Sequence, residues 1–122
     1  MMIVTESSID EAFRYCEQIA AAHYENFPVA SLLLPEEKRP YMQAIYAFSR
    51  IADDFADESR RPGEDRLADL NDWEKKLRRC FEGEADHPVF LALRETVERL
   101  QIPIEPLQDL LNAFKRDVLQ NR

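Results

Sequence analysis

Asp53 and Asp57 lie one helical turn apart in a stretch that also carries Tyr46 and Arg50. Taking Tyr46 as origin and about 100° per residue, Arg50 falls at roughly 40°, Asp53 at roughly −20° and Asp57 at roughly 20°. The four therefore share one stripe of a helix. Two ionised carboxylates at that interval repel each other unless a cation lies between them. Oxygen-only ligands suit a hard cation, and Mg²⁺ bridged to phosphate oxygens is the usual partner of such a pair. Arg50, one turn earlier, is placed to meet the same phosphate directly. Asp54 lies about 100° from Asp53 and is expected to face solvent or stand behind the ligands. Spacing alone leaves a second reading open, a solvated acidic face.

Two other spacings compete. Asp65 and Asp69 repeat the interval, but they sit among Glu64, Asp72 and Lys76 on an amphipathic segment, where water accounts for them. Glu84-x-x-His87 has the spacing of a di-iron ligand pair. It lies between Gly83 and Pro88, where no helix interior can hold it.

The elements that must position the stripe are all helical. Ser8 followed by Glu11 reads as a capping box opening a helix of about fourteen residues, with Ile9, Ala12, Phe13, Cys16, Ile19 and Ala20 on its apolar face. Asn26-Phe27-Pro28 breaks the chain, and Pro40 suits the first turn of a second helix running to Glu58. Ile45, Phe48, Ile51, Ala52 and Phe55 make most of that helix apolar, so it should be buried with its charged stripe facing a cavity or ligand. A third helix is expected from Glu64 to Phe81, with Leu67, Leu70, Trp73, Leu77 and Cys80 inward and Gly83 as its stop. Pro88 begins a fourth, with Val89, Phe90, Leu93, Val97 and Leu100 inward. Pro103 and Pro106 frame a loop before a fifth, which carries Leu107, Leu110, Leu111, Phe114 and Val118. The pattern predicts an all-α bundle, or part of one.

Composition agrees. The chain has 122 residues, enough for one domain, with 2 glycines and no β-branched runs. A net charge of −8 repels nucleic acid. No apolar run approaches the roughly 20 residues of a membrane span, and Met1 to Ser8 lacks the basic start of a secretory leader. Cys16 and Cys80 form no CxxC and are expected to be reduced core thiols of a cytoplasmic protein.

Tyr46-Ala47-Phe48-Ser49-Arg50 followed by Asp53-Asp54-Phe55-Ala56-Asp57-Glu58 resembles the first aspartate-rich motif of the squalene and phytoene synthase family. His23-Tyr24-Glu25-Asn26-Phe27-Pro28-Val29-Ala30-Ser31 with Leu34-Pro35 is similar to its hydroxysqualene-forming branch in the bacterial hopanoid pathway, as is Leu110-Leu111-Asn112-Ala113-Phe114-Lys115-Arg116-Asp117. The resemblance covers nearly the whole chain and implies the N-terminal portion of an all-α isoprenoid synthase fold around a central cavity. It implies Asp53 and Asp57 as Mg²⁺ ligands, Arg50 as a diphosphate contact and Tyr46 near the reacting carbons. His23 and Phe27 would line the cavity, and Asp117 would lie near the substrate. Their structural alternatives are a hydrogen-bonded core histidine, simple packing and a helix-end surface charge.

The reaction implied is loss of diphosphate from presqualene diphosphate, rearrangement and capture by water to give hydroxysqualene. Neighbouring branches join two allylic diphosphates, such as farnesyl diphosphate, head to head. The family's second aspartate-rich motif does not occur within these 122 residues. The chain by itself is therefore expected to be incomplete and inactive, and to self-associate through uncovered apolar flanks. A non-catalytic helical module is the rival reading. The apolar product adds an expectation of peripheral membrane association.

Overall fold

The computed structural model describes residues 6–23, 35–58 and 60–120, without the side chains of Glu6, Ser7 and His23. Among these the regular structure is helical throughout: α1 (Glu6–His23), a 3-10 turn (Glu36–Lys38), α2 (Arg39–Asp57), α3 (Gly63–Phe81), α4 (Pro88–Leu100) and α5 (Glu105–Gln120). The all-α expectation holds, with boundaries within a few residues of the sequence reading. The start of α1 differs most. Ser8 lies inside the first turn, two residues after the helix begins at Glu6.

Helix α2 is the central element, packed against each of the other four. Pro40 occupies its first turn, where the absent N–H costs no hydrogen bond. Its inward residues Ala44, Ala47, Phe48 and Ala52 are fully buried, and Ala56 nearly so. Helix α1 meets α2 and α4 through Ala12, Cys16 and Ala20, and Ala92 of α4 is also closed to solvent. Small side chains at these positions let the helix axes approach closely.

On the other side of α2, helix α3 buries Leu70, Trp73, Leu77 and Cys80, as the periodicity predicts. Trp73 joins three helices: its indole N–H donates to the Phe48 carbonyl at 3.3 Å, and its ring lies 4.6 Å from that of Phe90. Full burial of Phe48 or Phe90 contributes about 2–3 kcal/mol each. Helix α5 packs on α3 and α2 through Leu107, Leu111 and Val118.

The stops follow local chemistry. Glu64 and Asp65 open α3 and Arg78 and Arg79 close it, complementing the helix dipole. Gly83 adopts φ +94 and donates to the Cys80 carbonyl, ending α3 where expected. Two expectations fail at helix ends. Leu100 is exposed at the last position of α4, because the chain turns away through Gln101 at φ 55. Pro106 lies in the first turn of α5 and not in the preceding loop, since that turn also has no use for its N–H.

Candidate functional site

The stripe on α2 is half open. The side chains of Arg50 and Asp53 are 33% and 35% exposed, and Asp54 is 49% exposed. Tyr46 is half-buried and Asp57 is exposed. Arg50 reaches both neighbouring acids, with Nη1 3.7 Å from an Asp53 oxygen and Nη2 3.1 Å from one of Asp54. Asp54 faces solvent as expected, yet it is the nearer partner. A long guanidinium stem spans the i+3 and i+4 positions alike, so angular spacing alone could not rank the two.

Asp53 is the electrostatic centre. Burial pushes its carboxyl above its ordinary pKa, and Asp57 adds to the rise; Arg50 opposes it, and Asp54 and Asp117 add smaller amounts. Asp117 belongs to α5, so two helices bring negative charge to one edge of the bundle. The carboxylates crowd one another, and a cation among them would relieve that crowding. Arg50 Nε is buried without a hydrogen-bond partner among the described residues.

Other sequence candidates land differently. His23 is the last residue of α1, its side chain outside the description, and Phe27 lies outside the described residues altogether. Asp69 pairs with Arg61, and Asp65 sits exposed in the first turn of α3. His87 is the N-cap of α4, its Nδ1 accepting from the Val89 N–H at 3.1 Å. Among the described residues, no three carboxylate, imidazole or thiol groups converge to hold a metal by themselves. An open depression of about 440 Å³ lies elsewhere, between α1, α2 and α4, lined by Phe13, Tyr41, Glu95 and Arg99 among others. None of the stripe residues lines it. The clustered charge lies on the stripe.

Sequence reasoning missed two buried charges on α3, Arg66 and Glu74. Both fall in register with Leu70, Trp73 and Leu77, so the helical period that set those residues inward could have found them.

The family model for squalene/phytoene synthase matches residues 20–122. The chain belongs to the squalene/phytoene synthase family. It is 45% identical over 101 residues to the hydroxysqualene synthase of Zymomonas mobilis, covering 80% of this chain and 33% of that protein. It is 35% identical over 116 residues to the 15-cis-phytoene synthase of Synechococcus elongatus, covering 95% of this chain and 37% of that one. The crystal structure of squalene synthase HpnC from Alicyclobacillus acidocaldarius superposes with a TM-score of 0.84 at 41% identity, over 93% of this chain and 42% of that one. The five helices are therefore those of the all-α isoprenoid synthase fold. The chain spans 33% to 37% of the length of the two curated relatives.

Proposed function

We propose that this member of the squalene/phytoene synthase family contributes the first carboxylate helix of a Mg²⁺-dependent site that removes diphosphate from presqualene diphosphate to give hydroxysqualene. One observation carries the reading: Asp53 and Asp57 crowd each other on the α2 stripe beside Arg50, with Asp117 adding charge from α5. The donor set fits the ion, since Mg²⁺ is commonly held by one or two carboxylates together with substrate phosphate oxygens. Asp53 and Asp57 would hold it, and when bound it neutralises charge on the departing diphosphate. Arg50 would turn from its exposed acidic neighbours toward the diphosphate, two of whose oxygens can accept from the guanidinium fork. Tyr46, two turns before Asp53, presents an aromatic face that stabilises a nearby carbocation. The identity to the Zymomonas mobilis hydroxysqualene synthase supports this substrate.

The longer match to a phytoene synthase favours a second reading, head-to-head condensation of two allylic diphosphates. Because the described residues offer carboxylates without a third converging group, the 122-residue chain alone should give no turnover. The test is a chimera in which this chain replaces the matching region of the Zymomonas mobilis enzyme, offered presqualene or farnesyl diphosphate with Mg²⁺. Hydroxysqualene from presqualene diphosphate, lost on Asp53→Asn, supports the first reading. Full activity of Asp53→Asn would end it.

A further inference from the structure

Helix α2 ends badly by its own sequence. Asp53, Asp54 and Asp57 crowd its C-terminal turns, where the helix dipole is already negative, and the last turn holds no basic residue. The carbonyls there also lack intrahelical donors. The missing cation comes from another helix. Arg66 of α3 is 8% exposed, and its Nη1 donates to the Ala56 carbonyl at 2.7 Å. Its Nε is buried without a hydrogen-bond partner among the described residues. A Cβ placed on Gly63 would lie 3.9 Å from Arg66 Nη2 and 3.7 Å from Val118 Cγ1, so the guanidinium lies beside the start of α3, which α5 also approaches. Ala56 directly precedes Asp57, and Val118 directly follows Asp117.

We propose that Arg66 is a positioning residue for the aspartate site. It anchors the last turn of α2 from behind, keeping Asp57 one turn from Asp53 on the shared edge. A buried guanidinium bound to a carbonyl does this without presenting a competing charge to the ligand face. The proposal rests on the metal reading of the Asp53–Asp57 stripe.

The test uses the chimera in which this chain replaces the matching region of the Zymomonas mobilis enzyme, with Mn²⁺ as probe, read by water-proton relaxation, and amide hydrogen exchange on the same samples. Arg66→Met should weaken Mn²⁺ binding about tenfold, the lower end of what supporting hydrogen bonds behind metal ligands contribute. It should also speed exchange at Asp57 and Glu58 while leaving Leu93 and Val97 protected. Arg66→Lys, which keeps one donor and the charge, should recover most of the affinity. Leu93→Ala, a core lesion away from the stripe, should lower stability yet leave Mn²⁺ affinity unchanged. Should Arg66→Met not fold, Arg66→Gln carries the same comparison. Parent-like Mn²⁺ binding by the Arg66 variant, or equal weakening by Leu93→Ala, overturns the positioning role. A parent chimera that binds no Mn²⁺ overturns the metal reading itself, and the positioning role with it.

Discussion

Lys115 of α5 and Glu74 of α3 form an ion pair nearly closed to solvent, their side chains 18% and 11% exposed. Arg78 completes it, with Nη2 2.5 Å from the second Glu74 oxygen. The pair ties α5, and with it Asp117, to α3. Removing one partner leaves an uncompensated charge in a poorly hydrated place. Lys115→Met should cost about 2 kcal/mol, below the value for a fully buried pair because Arg78 remains. Urea denaturation at neutral pH measures it. The Lys115 hydrogen bond holds Glu74 below its ordinary pKa. That stability is present above the unfolded carboxylate pKa and fades as pH falls through the lowered folded one. Lys115→Met should therefore flatten the acid limb of the stability profile.

In the chimera, Asp53→Asn and Asp57→Asn each remove an ionised oxygen while keeping shape. Turnover should fall on the order of a hundredfold or more, mainly in kcat, because the lost stabilisation acts on charge that develops as diphosphate leaves. Asp65→Asn, at the same spacing but exposed on α3, should leave kcat and KM unchanged. Steady-state kinetics of the three variants separates the stripe from a general acidic face.

Charge crowding at Asp53 can be taken apart one neighbour at a time. Asp57→Asn should lower the Asp53 pKa more than Asp117→Asn does, and Arg50→Met should raise it, following the order of their influence. Carbon-13 NMR titration of the carboxyl resonances reads all three. No response of Asp53 to Asp117→Asn would mean that α5 does not share the edge.

His87 should make stability fall in mild acid. Burial, with Lys76 adding and Asp86 opposing, holds its pKa below the ordinary value near 6.5. Folding thus favours the neutral ring, and the benefit is complete above the unfolded pKa and lost as pH drops through the folded one. Protonation also removes the Nδ1 acceptor that caps α4. His87→Asn, which keeps a capping oxygen but does not titrate, should flatten stability between about pH 5 and pH 7. Thermal melts across that range provide the check.

Cys16 and Cys80 are both free and fully buried, and burial pushes each thiol up to about 12. A thiol-specific reagent at mildly alkaline pH should react slowly with the folded chain and rapidly with both residues once denaturant is added. Fast reaction of Cys16 in the folded state would show that the α1–α2–α4 seam opens readily, and fast reaction of Cys80 that the α3–α4 contact does.

Much of this architecture is local and was legible in the residues. Period, Pro40, Gly83 and Pro88 mark helices by backbone chemistry that needs no partner, and the interval from Asp53 to Asp57 sets two carboxylates on one stripe whatever surrounds them. Helix ends were less legible, because the exposure of Leu100 depends on where the chain turns next. Packing decided the rest. Nothing in the run from Arg39 to Asp57 says that a guanidinium from α3 will bind the Ala56 carbonyl, or that α5 will bring Asp117 to bear on Asp53. Nor does the charge of Glu74 announce that it is buried against Lys115, 41 positions away. Angular spacing sorts residues around one helix axis; electrostatic neighbours across helices depend on how apolar faces of different helices fit together, and that fit exists only in the folded chain.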